Sequence, residues 1–176
     1  MNLESILLSE DVVESIVENL DYLVEIIPEI KNMFLFPHNN PSHHLDVWNH
    51  TLLALSLSED DFDVRLCLLL HDIGKPFCYQ DGDVRHFRGH PKKSEEMARV
   101  ILKRLGYEEN YINYICYLIL HHDDPITDEQ LNYDYDLCLK LYSIQRCDAL
   151  AHNPDRLEKR KKYLEETKVK LLSRKG

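Results

Sequence analysis

The chain has 176 residues, of which 44% are hydrophobic and 30% charged, a composition typical of one globular domain. Its formal net charge of −10 argues against a general nucleic-acid-binding surface, which would be basic, so no DNA partner is expected. No apolar run approaches the roughly 18 residues that a membrane span needs, and the N-terminus lacks a basic-then-apolar leader pattern. These features predict a soluble, cytoplasmic protein without a membrane partner.

The cysteines fit a reducing compartment. They are odd in number, and none has the Cys-x-x-Cys spacing of a zinc ribbon. Most lie within apolar helical patterns, where a free thiol behaves as a small hydrophobic group. The five positions are Cys67, Cys78, Cys116, Cys138 and Cys147. A disulfide framework is therefore not expected.

Residues 3–35 predict an amphipathic helix, because apolar residues recur at three- and four-residue steps. The steps run through Val12, Ile16, Leu20, Leu23 and Ile27. Pro28 then starts or kinks a shorter segment, and the prolines and asparagines of residues 36–44 indicate a loop. We expect residues 1–40 to form a helical extension that packs structurally and carries no chemistry.

The next predicted helix, residues 45–58, has two apolar stripes and is expected to be central. His50 lies inside the second stripe, with apolar residues one turn away on either side. Taken singly, a histidine at such a position is a core residue hydrogen-bonded to the backbone. A metal ligand is the alternative.

An apolar run over residues 62–73 predicts a helix that ends in His71 and Asp72, before the helix-stopping Gly74 and Pro76. An imidazole and a carboxylate are thus presented side by side from the end of a buried helix. An unpaired buried carboxylate is costly, so Asp72 needs a cation. A divalent metal ion is the obvious candidate. The alternatives are a structural His–Asp pair and a helix-end Asp72 that faces solvent.

After this helix, an Asp-Gly dipeptide between aromatic and β-branched flanks predicts a small β-hairpin around residues 77–87. Its return strand carries Arg85, and Arg88 follows it. The next predicted helix, residues 91–105, has His90 near its N-terminus, beside free backbone donors suited to an anion.

Residues 108–122 predict a further helix that ends in two histidines. His122 continues an apolar stripe through Ile115 and Ile119 and is expected to be the more buried, whereas His121 lies on a more amphiphilic face. Complementing the negative end of the helix dipole is the simpler alternative for both.

The helix predicted over residues 133–151 places Asp148 on an otherwise apolar stripe that includes Leu141 and Ile144. A carboxylate at a core position should be paired, metal-bound or protonated. Arg146 and His152 are local candidates for the partner, although Arg146 is too close in sequence to share the same face. A metal ligand and a structural pair are equally compatible with this pattern.

The last segment, residues 154–176, predicts a basic helix, since residues 155–176 contain nine Lys/Arg and four Asp/Glu. Its apolar periodicity is weak, which favours a solvated terminal helix. A tail that contacts RNA or a partner is the alternative.

Four of these residues, from three predicted helices, are expected to face inward together. They are His50, His71, Asp72 and Asp148. Nitrogen and oxygen ligands that converge inside a helical bundle suit a divalent ion. His90 and either His121 or His122 could hold a second ion beside the first, with Asp72 bridging the two.

Four segments carry a pattern of known order and spacing. They are His43-His44-Leu45-Asp46-Val47-Trp48-Asn49-His50-Thr51, His71-Asp72-Ile73-Gly74-Lys75, Phe87-Arg88-Gly89-His90 and Cys147-Asp148-Ala149-Leu150-Ala151-His152-Asn153-Pro154. This pattern resembles the HD superfamily of metal-dependent phosphohydrolases, and it is more similar still to the HD domain attached to CCA-adding tRNA nucleotidyltransferases. The resemblance covers about residues 40–155.

The resemblance implies an all-α fold, an HD-domain helical bundle. We expect the hairpin and the basic C-terminal helix to belong with it to a single domain, residues 1–176. No nucleotidyltransferase domain precedes the bundle in this sequence, so we expect a free-standing HD protein.

Carried over residue by residue, the resemblance implies metal ligation by the four inward-facing residues. It makes His90 and His121 or His122 ligands of a second metal, as in the binuclear branches. Lys75 matches the family lysine that approaches the substrate phosphate. Three residues without a fixed family role are predicted as phosphate contacts from charge and proximity. They are His43, Arg85 and Arg88.

The implied function is a metal-dependent phosphohydrolase, acting on a nucleotide or a 2′,3′-cyclic phosphate through a metal-bound hydroxide. The cofactor would be one or two divalent ions (Mn, Fe, Ni, Co, Mg or Zn). The partner would be a small phosphorylated substrate, with an RNA end as a further option. Asp72 and Lys75 would be catalytic, the first orienting the attacking water and the second offsetting phosphoryl charge. An HD-fold di-iron oxygenase and a non-catalytic nucleotide-sensing module are the alternatives.

Overall fold

The computed structural model describes residues 2–174, which form ten α-helices and three short 3₁₀ turns. The helices are α1 (Leu3–Leu7), α2 (Val12–Glu18), α3 (Leu20–Ile26), α4 (Val47–Ser56), α5 (Phe62–Leu70), α6 (His90–Arg104), α7 (Glu109–Leu120), α8 (Asp128–Tyr133), α9 (Tyr135–Leu150) and α10 (Glu158–Ser173). The 3₁₀ turns are Pro28–Met33, Lys75–Phe77 and Pro154–Arg156. The all-α prediction is confirmed. Across the described range, no helix is both long and apolar enough to cross a membrane.

The centre of the bundle is α5. It is apolar on nearly all sides, and every residue from Val64 to Leu70 is buried where α5 packs against α1, α4, α7 and α9. The charged residue within this run, Arg65, is 4% exposed, and its Nη1 donates to the carbonyl oxygens of Leu7 and Ser9 (2.6 and 3.0 Å). These bonds satisfy the buried guanidinium and tie the N-terminal segment to the central helix.

The amphipathic helix predicted over residues 3–35 is divided in the structure into α1, α2, α3 and a 3₁₀ turn. The predicted break at Pro28 is present, but the two earlier breaks were not predicted. Residues that cap or break helices cause the divisions. Asp11 caps α2 by accepting a hydrogen bond from an amide three residues on, and Pro28 opens the 3₁₀ turn. The apolar positions still face one core, because Ile16 and Ile27 are fully buried.

The predicted β-hairpin at residues 77–87 is also wrong, since the described part of the chain contains no β-strand. Gln80 and His86 form one isolated antiparallel bridge. The pairing does not extend because the neighbouring amide, Arg85 N, donates to Asn39 O (3.0 Å) rather than across the loop. The segment is therefore a loop fastened to the chain that precedes α4.

Other boundaries differ from prediction where side chains cap the backbone. Asp46 accepts a hydrogen bond from Asn49 N (2.8 Å), so α4 begins at Val47. Asp134 caps α9 and separates it from α8 within the predicted helix over residues 133–151.

The C-terminal helix α10 is not solvated all round. Leu164, Thr167 and Leu171 are buried, and α10 packs along α9. The remaining surface of the helix is basic and exposed. The predicted end of this helix at residues 175–176 lies outside the described residues.

Candidate metal centre

Four polar side chains meet in the middle of the bundle. His50 comes from α4, His71 and Asp72 from the turn after α5, and Asp148 from α9. Each offers one ligand atom, and these atoms lie within 4.8 Å of one another. All four residues are at most 4% exposed. We call them the first ligand group.

Asp72 also belongs to a second ligand group, with His90 at the start of α6 and His122 just after α7. His90 Nε2 lies 3.4 Å from Asp72 Oδ1 and 3.2 Å from His122 Nε2. The other carboxylate oxygen, Asp72 Oδ2, lies 3.3 Å from His71 Nε2 and 3.6 Å from His50 Nε2. Asp72 therefore presents one oxygen to each group.

The backbone orients the histidines of both ligand groups, because each donates from Nδ1 to a main-chain carbonyl oxygen. The acceptors are Ala151 O for His50 (3.2 Å), Leu68 O for His71 (2.7 Å), Phe87 O for His90 (3.0 Å) and Ile119 O for His122 (2.6 Å). An imidazole held in this way directs Nε2 at its metal. The four Nε2 atoms here face the carboxylates.

The protein alone leaves polar atoms at this centre unsatisfied. Within residues 2–174, His71 Nε2 and both oxygens of Asp72 make no hydrogen bond of acceptable geometry. Lys75 Nζ lies 2.6 Å from Asp72 Oδ2, so the two form an ion pair without the angles of a hydrogen bond. A buried carboxylate needs a cation. This mixed set of nitrogen and oxygen donors fits a divalent metal ion.

The ligand groups are charged as well as buried. Burial alone would lower the pKa of His71, but the carboxylates of Asp72 and Asp148 raise it to about 10. Burial would raise the pKa of Asp72, yet His71 and Lys75 hold it well below its usual value. Hydrogen bonds from neighbouring histidines overcome burial in the same way and lower the pKa of Asp148. The two carboxylates thus stay ionised, and a metal ion that bound here would displace the proton that the raised pKa leaves on His71.

A cavity of about 340 Å³, which we call the first cavity, opens onto both ligand groups. The ligand residues at its wall are Asp72, His90, His122 and Asp148. Three residues predicted to contact phosphate also line it, namely His43, Lys75 and Arg88. The first cavity therefore combines carboxylate and imidazole ligands with positive charge.

Lys75 is held in place by two neighbours. Its Nζ lies beside Asp72 and 3.2 Å from His38 Nε2. His38 Nδ1 donates to Leu45 O (2.8 Å), and burial together with the Lys75 charge lowers the pKa of His38 to about 3. His38 is therefore neutral and accepts a hydrogen bond from Lys75. This bond keeps the ammonium group at the edge of the first cavity.

This arrangement agrees with a comparison against protein families. The HD domain family model matches residues 42–172. The chain belongs to the HD domain family. This superfamily is one of metal-dependent phosphohydrolases, and the first and second ligand groups could hold metal ions. The resemblance predicted from the four segments is confirmed.

Curated relatives are similar to parts of this HD domain. The chain is 30% identical over 123 residues to the CC-adding tRNA nucleotidyltransferase of Thermus thermophilus, and 32% identical over 90 residues to the Multifunctional CCA protein of Shewanella denitrificans. It is 39% identical over 71 residues to the A-adding tRNA nucleotidyltransferase of Deinococcus radiodurans. These matches cover 65%, 49% and 36% of this chain but 28%, 22% and 16% of the relatives. The similarity concerns a minor part of each relative.

His121 does not join the centre of this HD domain. It belongs to neither ligand group, its Nδ1 bonds to Asp124 Oδ2 (2.7 Å), and its side chain is 29% exposed. His121 is the first residue after α7 and lies toward solvent, whereas His122 is 2% exposed and lies toward the ligands. Of the two alternatives, the structure brings His122 to the ligands.

Arg85 is also directed elsewhere. Its Nε donates to Asp81 Oδ1 (2.7 Å) and its Nη1 to Pro37 O (2.9 Å), while the guanidinium lies over the rings of Phe36 and Tyr79. It is not among the residues that line the first cavity. These local partners keep Arg85 in the loop, so the structure does not bring it to the first cavity.

His152, predicted as a local partner of Asp148, has its Nε2 3.4 Å from Asp148 Oδ1. With His43 and His50 it also forms a third set of close imidazoles. His50 belongs both to this set and to the first ligand group. Its Nδ1 is hydrogen-bonded to Ala151 O, so its one remaining ligand atom, Nε2, could bind an ion in only one of the two sets. We treat them as one site.

Three residues beside the HD-domain ligands are not predicted from the sequence. They are His38, Asp123 and Arg160. Asp123 Oδ2 lies 3.5 Å from His90 Nε2, and Arg160 Nη1 lies 3.4 Å from Asp148 Oδ2. The position of Asp123 directly after His122 could have indicated that it lies beside the ligands. Nothing in the basic C-terminal run distinguishes Arg160 from its neighbours.

Proposed function

We propose that this HD domain is a metal-dependent phosphohydrolase that cleaves a phosphomonoester or phosphodiester of a nucleotide, or a 2′,3′-cyclic phosphate. One observation carries the proposal: the two ligand groups, joined through Asp72, open into a cavity whose other walls hold cationic side chains. A divalent ion bound there supplies Lewis acidity and makes hydroxide available near neutral pH. The cationic walls suit the substrate phosphate.

The residues of the first cavity have different roles in hydrolysis. Lys75 and Arg88 offset negative charge as it develops on the phosphoryl oxygens. Lys75 is suited to this because His38 and Asp72 hold its ammonium group in a buried position, where charge interactions are strong. Asp72 accepts a hydrogen bond from the attacking water and orients it. His43, whose pKa burial lowers, contacts the phosphate as a neutral group.

The names of the relatives guide the choice of substrates. Two are named as tRNA nucleotidyltransferases. We therefore include an RNA end with a 2′,3′-cyclic phosphate beside small nucleotides. The acidic balance of the chain, net −10, favours the small nucleotides over a long polyanion.

The test is hydrolysis by purified protein loaded in turn with Mn²⁺, Fe²⁺, Ni²⁺, Co²⁺, Mg²⁺ and Zn²⁺. The substrates are nucleoside 2′-, 3′- and 5′-monophosphates, 2′,3′-cyclic nucleotides and a short RNA that ends in a cyclic phosphate. Asp72→Asn protein, prepared in parallel, reports any contaminating phosphatase. Asp83→Asn, which removes the same charge from an exposed loop position, is the matched control.

We expect turnover by wild type and by Asp83→Asn, and at least about a 100-fold lower kcat/KM for Asp72→Asn. If wild type hydrolysed none of these substrates with any of these ions, the proposal would be refuted. Nucleotide binding without turnover would instead favour the sensing module. An oxygen-sensitive iron spectrum after anaerobic reconstitution, without phosphate release, would favour the di-iron oxygenase.

A further inference from the structure

A second cavity of about 250 Å³ adjoins the first and has no part in the hydrolysis described above. It lies between α10 and the C-terminal half of α9. Its apolar wall consists of Pro125, Ala149, Tyr163 and Leu164. Four residues border both cavities, namely His122, Asp123, Asp148 and Arg160. The second cavity is therefore next to both ligand groups.

The apolar wall is fixed by a chain of hydrogen bonds. The Tyr163 hydroxyl accepts from Ile126 N (3.0 Å) and donates to Gln145 Oε1 (2.8 Å). Gln145 Nε2 in turn donates to Asp124 O (2.7 Å). Since these polar atoms already have partners, the wall offers a ligand mainly the apolar surface of the ring and its neighbours. A surface of this kind suits the face of a flat aromatic or heterocyclic ring.

Arg160 stands where the two cavities meet. Its Nη1 lies 3.4 Å from Asp148 Oδ2 and 4.0 Å from Asp123 Oδ1, and its side chain is 41% exposed. Within residues 2–174, Asp148 is its one hydrogen-bond acceptor, although a guanidinium carries five N–H donors. The other donors are available to a phosphate, which arginine can bind through two parallel bonds. Lys159 adds a second positive charge at the second cavity.

We propose that the second cavity binds the nucleobase of the substrate and that Arg160 binds its phosphate where the two cavities meet. This inference rests on the proposed phosphohydrolase function and narrows its substrate to a nucleotide. A sugar phosphate without a base would leave the apolar wall uncovered. The combined volume of the two cavities falls within the roughly 300–1,000 Å³ of small-molecule sites.

Equilibrium binding separates the contribution of the base from that of the phosphate. Mn²⁺-loaded wild type is titrated calorimetrically, in the cold to slow turnover, with the 5′-monophosphates of adenosine, guanosine, cytidine and uridine. Ribose 5-phosphate, which has the same sugar and phosphate but no base, is the reference probe. We expect the best nucleotide to bind at least about tenfold more tightly than ribose 5-phosphate, because stacking on apolar and aromatic side chains contributes that much. Equal affinities, or no binding of any nucleotide, would overturn the proposal.

Variants then locate the base and the phosphate. Leu164→Phe narrows the second cavity from α10 and Ala149→Leu narrows it from α9, so each should abolish the preference for a base without changing the affinity for ribose 5-phosphate. Arg160→Ala should weaken the binding of both probes about tenfold. Lys162→Ala, which removes an exposed positive charge from the same helix outside both cavities, should change neither.

Thermal unfolding identifies the variants that are folded, and either cavity-filling variant suffices if the other does not fold. A base preference that persists in a folded filling variant would overturn the proposal, as would unchanged affinities in Arg160→Ala. The binding and hydrolysis tests fail separately. Base-dependent binding without turnover would support this inference and refute the phosphohydrolase function. Hydrolysis without any base preference would support the phosphohydrolase function and overturn this inference.

Discussion

The Asp72→Asn substitution removes one negative charge from the point that the two ligand groups share, and it preserves the size of the side chain. Asp72 is fully buried, and each of its oxygens faces a different group. Loss of a residue that merely orients a metal ligand lowers metal affinity about 10–100-fold. Loss of the ligand itself should therefore cost at least about 100-fold. Because both groups include Asp72, we expect the binding of every ion to weaken.

The same substitution should destabilise the metal-free protein. Lys75 Nζ lies 2.6 Å from Asp72 Oδ2, and both side chains are at most 5% exposed. Removing one member of a buried ion pair leaves the other charge uncompensated, which costs about 3–5 kcal/mol. His71 can lose its proton in response and so relieve part of this cost. We therefore expect the free energy of unfolding to fall by about 3 kcal/mol.

Two measurements check these expectations on wild type, Asp72→Asn and the exposed control Asp83→Asn. Urea unfolding in EDTA gives the free energy of unfolding without metal, and calorimetric titration with Mn²⁺ gives the affinity. The control should match wild type in both. If Asp72→Asn bound Mn²⁺ as tightly as wild type, the cation would bind elsewhere and the assignment of both ligand groups would be wrong. Unchanged metal-free stability would refute only the ion-pair reasoning.

Three further predictions test other parts of the structure. His122→Ala should reduce the Mn²⁺ content per chain in elemental analysis and His121→Ala should not, because only His122 belongs to a ligand group; equal losses would contradict this. Glu29→Gln should lower the free energy of unfolding by about 1 kcal/mol near neutral pH, because hydrogen bonds from Arg104 lower the Glu29 pKa. That contribution is present above the usual pKa of 4.5 and is lost as the pH falls through the lowered value. In strong acid, wild type and Glu29→Gln should therefore have the same free energy of unfolding in urea, and a remaining difference would contradict this reasoning. Gly74→Ala should lower the free energy of unfolding by about 1–3 kcal/mol and weaken the second ligand group more than the first, as seen in urea unfolding and Mn²⁺ titration.

Helical periodicity is enough to bring most of the ligands together. His50 and Asp148 lie on apolar stripes, and burial of a stripe carries its polar members toward the core. The same reasoning predicts that His122 is more buried than His121. The structure agrees, since His122 is 2% exposed and the His121 side chain is 29% exposed. These directions depend on local helix geometry, which a sequence encodes directly.

Features that depend on distant parts of the chain could not be predicted in this way. The Asp-Gly dipeptide is a local turn signal, but Arg85 N pairs with Asn39 O, so the predicted strands do not form. The second cavity depends on how α10 packs along α9, and the weak periodicity of the basic segment carries little information about that contact. Arg160 therefore has no sequence signal, even though it borders the ligands.

The two ligand groups can share Asp72 only because α6 comes very close to the turn that follows α5. A Cβ at Gly74 would lie 2.6 Å from Ser94 N and 2.9 Å from the Lys93 carbonyl carbon, and these backbone atoms cannot move without the helix. Gly74 N also donates to Ser94 Oγ (3.0 Å), which holds the two segments together. A larger residue must therefore displace α6, and with it His90, from Asp72. The rest of the first group lies on α4, on α9 and at His71, the first residue after α5, and would stay in place. If Gly74→Ala bound Mn²⁺ with the stoichiometry and affinity of wild type, this coupling between helix approach and the second ligand group would be wrong.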